Sequence, residues 1–141
     1  MSNDHEIQID FQYGFQLIGL ETNAKEYKLA WHLNQQLSLK LVKSDDLVIN
    51  FVAQPRIIIS NFIFNTTHCT FRLLKNRSET ESNHLFLLPE MKDIDFFLMI
   101  NDESDTFDIS GCVQKLSKIS LISSYQTIET DELINKENLI F

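Results

Sequence analysis

The sequence predicts an α+β fold: a single, mostly antiparallel sheet built from β-α-β, a β-meander and a second β-α-β, with two helices on one face. Three observations carry that prediction. Two segments with helical periodicity, 24–38 and 109–116, are separated by a long series of strand-like stretches. Two of those stretches are joined by Asn65-Thr66-Thr67, a turn sequence suited to an antiparallel hairpin. A third, 96–100 (FFLMI), is apolar at every position, as expected of a central strand covered on both faces.

In chain order, Ile7 and Ile9 alternate with polar neighbours and predict a short strand over 6–11. A better strand follows at 15–20, where Phe15, Leu17 and Ile18 are apolar. Asn23 stands three residues before Glu26, the spacing of a capping box, and predicts a helix over 24–38. Leu29, Ala30, Leu33 and Leu37 share one side of that helix, and Ala24, Tyr27 and Trp31 widen the stripe. A helix lying on a sheet needs only the first group. Tyrosine and tryptophan are mostly buried, so core packing is the plain expectation for Tyr27 and Trp31. The alternative is a partner surface.

Segments 39–43 and 46–51 are expected as short strands, with Pro55 interrupting before a strand over 57–64. That strand pairs with 68–74, in which Cys69, Phe71 and Leu73 face one way and His68, Thr70 and Arg72 the other. The polar run 76–83 reads as a loop, and 85–88 as a strand whose pairing Pro89 ends. After the central strand, Asp108 is placed to cap a helix in which Ile109, Cys112, Val113 and Leu116 follow i, i+3, i+4, i+7. A strand over 121–128 comes next, and Thr130 opens a last helical turn. A right-handed crossover through the second helix sets 121–128 parallel to the central strand.

Composition narrows the function classes. At 141 residues, 43% hydrophobic and with eleven Phe, the chain suits one domain with a full core and excludes disorder. A net charge of −8, with no run of three basic residues, opposes nonspecific binding to nucleic acid or an anionic membrane. No apolar run approaches the ~18 residues of a membrane span. The opening MSNDHEIQID lacks the basic-then-apolar pattern of a signal peptide, so a cytoplasmic location is expected.

With three Gly and no nucleotide fingerprint, nucleophile elbow or H-E-x-x-H, no cofactor is expected and no catalytic residue is nominated. Cys69 and Cys112 lie far apart without C-x-x-C spacing and read as reduced thiols. Asp102, Glu103, Asp105 and Asp108 lack the glycine and terminal glutamate of an EF-hand, and no metal is expected there. Adjacent His68 and Cys69 point to opposite faces of a strand and cannot share a metal.

The nine residues Leu88-Pro89-Glu90-Met91-Lys92-Asp93-Ile94-Asp95-Phe96 resemble the pattern that names the IPExxxVDY family of small bacterial proteins. Leucine, isoleucine and phenylalanine stand where the name has isoleucine, valine and tyrosine. Stretches 15–34, 44–47 and 136–141 also resemble that family, so the likeness covers nearly the whole chain. It implies a single intact domain in a cytoplasmic bacterial setting; the family is named for its motif, so it implies no reaction. Phe96 carries no hydroxyl, which removes a general acid from that position and leaves packing as the reason for a ring.

Glu90 and Asp95 are the polar members of the motif worth weighing. They form a carboxylate pair for acid–base or ligand chemistry if they converge on a pocket. Otherwise Glu90 accepts backbone N–H groups at the strand exit and Asp95 anchors the central strand. Two functions follow. The favoured one is a non-catalytic protein–protein interaction module that docks on a protein partner, or on a second copy, through Tyr27 and Trp31. The other is a small-molecule-binding protein or enzyme with a pocket near LPEMKDIDF.

Overall fold

The computed structural model describes residues 14–50, 55–80 and 85–141. The strand expected over 6–11 lies outside them. A six-stranded sheet carries the fold in the order β2-β5-β6-β7-β1-β8, with every neighbouring pair antiparallel. Its strands are β1 (Gln16–Thr22), β2 (Val42–Lys43), β5 (Asn61–Asn65), β6 (Cys69–Lys75), β7 (Phe96–Asp102) and β8 (Ile122–Ile128). A separate two-stranded sheet pairs β3 (Leu47–Ile49) with β4 (Ile57–Ile59). The helices are α1 (Glu26–Leu37) and α2 (Ile109–Leu116). The α+β class is as the sequence predicts.

Both helices lie on one face, and topology explains why. β1 connects through α1 to β2 at one edge, while β7 connects through α2 to β8 at the other. β1 and β7 run in opposite directions. Crossovers of one hand that leave opposed strands and travel in opposite directions must cover the same face. Leu29, Ala30 and Leu33 of α1 and Cys112 and Leu116 of α2 accordingly share a core with Ile18, Leu73 and Leu98. β8 is parallel to β7 as predicted, with β1 between them.

β7 is buried on both faces because its alternate residues enter different cores. Phe96, Leu98 and Ile100 meet the helices, while Phe97 and Met99 meet a second cluster. That cluster is roofed by Ile57 and Ile59 of β4, by Leu87 and Leu88, and by Leu133 and Leu139 near the C-terminus. The unbroken FFLMI run therefore reflects a three-layered environment.

Several expected elements differ in detail. Segment 57–64 is not one strand: Ser60 is buried between β4 and β5, which belong to different sheets. Its carbonyl accepts the Lys75 N–H at 3.2 Å, and Lys43 Nζ lies 2.8 Å from its hydroxyl. The strand over 39–43 shrinks to Val42–Lys43, and that over 46–51 to Leu47–Ile49 among the described residues. Residues 85–88 form no strand; an isolated bridge between Arg77 and Phe86 is the pairing there. Leu87 and Leu88 are apolar because they roof the second core, and the chain then turns through a 3₁₀ turn at Pro89–Met91.

The capping box is absent too. Lys25 occupies the N-cap position of α1 and no side chain caps the helix. Thr22 is the residue that organises the entry: its hydroxyl donates to the Leu121 carbonyl at 2.6 Å and accepts the Ala24 N–H at 3.1 Å. The expected N-cap of α2 does form, with Asp108 Oδ1 accepting the Gly111 N–H at 3.0 Å. Short 3₁₀ turns at Thr130–Glu132 and Lys136–Leu139 close the chain.

Candidate functional site

The motif stretch is held by a residue that its own sequence does not contain. Asn76, directly after β6, is fully buried at 0% exposure. Its Nδ2 donates to the Met91 and Ile94 carbonyls, each at 2.8 Å, and its Oδ1 accepts the Leu88 N–H at 2.9 Å. Its backbone N–H donates to the Asp95 carbonyl at 2.9 Å, and its carbonyl accepts the Leu87 N–H at 2.6 Å. One asparagine thus satisfies polar backbone from Leu87 to Asp95, a stretch without strand or long helix to do so. The polar run 76–83 disguises this, since nothing in its composition separates Asn76 from a loop residue. Only its position, at a strand end before an apolar roof, offers a signal.

Glu90 faces the C-terminal turns. Oε2 accepts the Ile134 and Asn135 N–H groups, and Oε1 accepts from Asn135 Nδ2, all at 2.9 Å. Partial burial pushes its carboxyl up, but the Asn135 side chain and the backbone N–H groups of Asn135, Glu90 and Ile134 outweigh that and hold it below the ordinary glutamate value. Its partners lie 44 and 45 residues away, so Glu90 clamps the C-terminal segment against the motif. Asn138, buried nearby, donates to the Leu87 carbonyl at 2.9 Å and completes that junction.

Asp95 faces β1. Its Oδ2 accepts the Thr22 N–H at 2.8 Å, and its own N–H donates to the Leu20 carbonyl at 2.9 Å. Here the β1–β8 register shifts between Glu21 and Thr22. Asp95 therefore ties the start of the central strand to the irregular end of β1. The two motif carboxylates serve different junctions, and only Asp95 stands on the wall of the cleft described next.

That cleft, of about 500 Å³, opens between the N-terminal turn of α1, the end of β6 and the motif. Lys25, Lys75, Arg77 and Lys92 line it, four of the twelve basic residues in the chain. Two carboxylates, Glu26 and Asp95, stand on the same walls. The Arg77 guanidinium lies 5.2 Å and the Lys92 ammonium 6.0 Å from the centre of the Phe86 ring. Sequence reading missed this gathering because its cations come from three separate segments, around Lys25, around Lys75 and Arg77, and at Lys92.

Tyr27 and Trp31 are not in the core: 65% and 58% of their surfaces are exposed. The expectation of burial fails because Leu29, Ala30 and Leu33 already fill the helix's contact with the sheet. The aromatic pair sits one turn apart on the outer side of α1, where exposed Lys28 and Gln35 flank it at about 100° per residue. The Trp31 ring meets His32 edge-on at 5.0 Å.

Where β7 runs into the acidic turn, the Asp102 carboxylate is committed to the chain around it. Asp102 accepts from the Ser104 hydroxyl at 2.6 Å and from the N–H groups of Ser104, Thr106 and Phe107. The Ser104 hydroxyl is the main cause that brings its carboxyl down to about 2; desolvation opposes it, and the N–H groups of Phe107, Thr106 and Ser104 add to the lowering. No group of three His, Cys, Asp or Glu side chains placed to hold a metal occurs among the described residues. Cys69 and Cys112 are both free thiols, and burial pushes Cys112 up to about 11. No helix among the described residues is long and apolar enough to cross a membrane.

In comparison with known proteins, the chain matches no family model and no curated protein sequence.

Proposed function

We propose that the protein is a non-catalytic interaction module that docks on another protein through the outer face of α1. The observation that carries this reading is the exposure of Tyr27 and Trp31 one helical turn apart. Large aromatic side chains supply most of the binding energy at protein interfaces, because they bury much area for few rotatable bonds. Lys28 and Gln35 frame the pair with polar, rim-like character. Lys28, exposed beside the pair, adds a positive charge to this face on a chain of net charge −8. The face therefore suits a partner with an apolar groove and an acidic rim.

The likeness of Leu88–Phe96 to the IPExxxVDY motif belongs to the same proposal and adds a bacterial, cytoplasmic setting. In this reading the motif builds the scaffold: Glu90 clamps the C-terminal turns and Asp95 joins β7 to β1. The experiment is affinity purification from the native host, comparing wild type with Trp31→Ala. Trp31 is largely exposed, so the variant is expected to fold and melt as wild type does. A stoichiometric partner recovered with wild type and lost with Trp31→Ala supports the reading. Identical recovery with both contradicts it. Sedimentation equilibrium of the purified protein tells self-association from a separate partner.

A further inference from the structure

The six-stranded sheet ends in β2 on one side and β8 on the other, and the two edges are guarded differently. β2 is two residues long and carries Lys43, both features that discourage strand pairing. β8 runs for seven residues, Ile122–Ile128 (ISSYQTI), with no charge, proline or glycine. Its ladder to β1 is irregular at the Ile122 end, between Glu21 and Thr22, and regular from Ser124 to Ile128. Ser124 and Gln126 on one face and Thr127 on the other are exposed, so neither layer covers the middle of the strand. Among the described residues, no backbone group of 123–127 has a hydrogen-bond partner outside the β1 ladder.

An edge of this length, with nothing to blunt it, is a template for another strand. The sequence of β8 is compatible with itself. Antiparallel pairing about a two-fold axis through Gln126, the centre of the regular stretch, sets Gln126 opposite the Gln126 of a second copy. Tyr125 then falls opposite Thr127, and Ser124 opposite Ile128. The two amides exchange hydrogen bonds, and an aromatic ring beside a β-branched residue is a favoured cross-strand pair. No charge faces a like charge: Glu129, the first acidic residue beyond the strand, falls opposite Ser123. That matters for a chain of net charge −8, whose copies repel one another elsewhere.

We propose that β8 is a self-association edge: it pairs with the β8 of a second copy and joins two sheets into one. A single strand pair covers less than the ~800 Å² per partner of a standard interface, so the dimer is weak and reversible. The two-fold axis stands perpendicular to the sheet, which puts both helix layers on one side of the dimer. The dimer stands on β8 alone and does not need the docking reading of Tyr27 and Trp31. Where that reading also holds, the dimer presents two such faces in one direction and binds a partner with paired grooves more tightly than one chain does.

The test is sedimentation equilibrium of the full chain from micromolar to millimolar concentration. Wild type is expected to follow a reversible monomer–dimer equilibrium. Gln126→Lys and Gln126→Glu, each setting like charges opposite one another, should each weaken the dimer at least about tenfold. An equimolar mixture of the two should associate more tightly than either variant alone, since opposite charges then meet. Gln126 is exposed, so both variants should melt as wild type does. Trp31→Ala should dimerise as wild type does. Amide exchange in wild type gives a reading without any substitution: protection within 124–128 should rise with chain concentration. A wild type that stays monomeric overturns the proposal. So does a dimer indifferent to both charges, a mixture that associates no better than its components, or exchange within 124–128 that ignores concentration. A dimer lost in Trp31→Ala also overturns it, and assigns self-association to the α1 face instead.

Discussion

Asn76→Ala is the most informative single perturbation of the scaffold. It removes three side-chain hydrogen bonds, to Met91, Ile94 and Leu88. The losses are unequal. The Met91 carbonyl keeps the Ile94 N–H at 3.1 Å, so it is not orphaned. The Leu88 N–H and the Ile94 carbonyl have Asn76 as their partner and lie in buried residues, at 0% and 4% exposure. Two orphaned buried backbone groups, at about 1–3 kcal/mol each, put the cost at roughly 3–4 kcal/mol. For a domain of this size that corresponds to a fall in Tm of about 10 °C. Asn76→Asp should be worse at neutral pH. It keeps the acceptor for Leu88 but turns a carboxylate toward two carbonyl oxygens. Urea unfolding followed by far-ultraviolet circular dichroism measures both. Loss of under about 0.5 kcal/mol for Asn76→Ala, or an Asn76→Asp variant as stable as Asn76→Ala, would refute the reasoning.

Two further predictions concern the carboxylates. The Asp102 carboxyl, lowered from 3.8 to about 2, contributes stability that is complete above the ordinary value and lost as pH falls toward 2. Carbon-13 titration of its carboxyl should give a midpoint near 2, and Ser104→Ala should raise it; a wild-type midpoint near 3.8 would contradict the hydrogen-bond account. Glu90→Ala should accelerate amide hydrogen exchange at Ile134 and Asn135 while costing under about 1 kcal/mol globally, because the site is exposed. Since the Glu90 carboxyl is held below its ordinary range, that protection in wild type should persist from neutral pH and fade only as pH falls through its lowered value. Unchanged exchange at both amides would remove Glu90 as the clamp.

How much was legible in the sequence depends on whether a feature is local. The hairpin of β5 and β6, the capped start of α2 and the doubly buried β7 are written in short-range patterns: a turn, an Asp at the N-cap and an unbroken apolar run. Those survive in the structure. Segment 85–88 misleads because an apolar run tells of burial and not of pairing; Leu87 and Leu88 roof a core without joining a ladder. Tyr27 and Trp31 mislead for a related reason. Helical periodicity reports a wide stripe, but the width that the sheet can cover is a tertiary property. Asn76 and the four-cation cleft were beyond reach because their meaning lies in partners between 12 and 18 residues away, or on separate strands and helices.

The central claim is that the outer face of α1 meets a protein partner, and photo-cross-linking from position 31 tests it most directly. With p-benzoylphenylalanine replacing Trp31 in the native host, irradiation should yield one discrete adduct joining this chain to one partner. The same probe at exposed Gln126, on the edge strand β8, should not yield that adduct. No adduct from position 31, or the same adduct from both positions, would contradict the account.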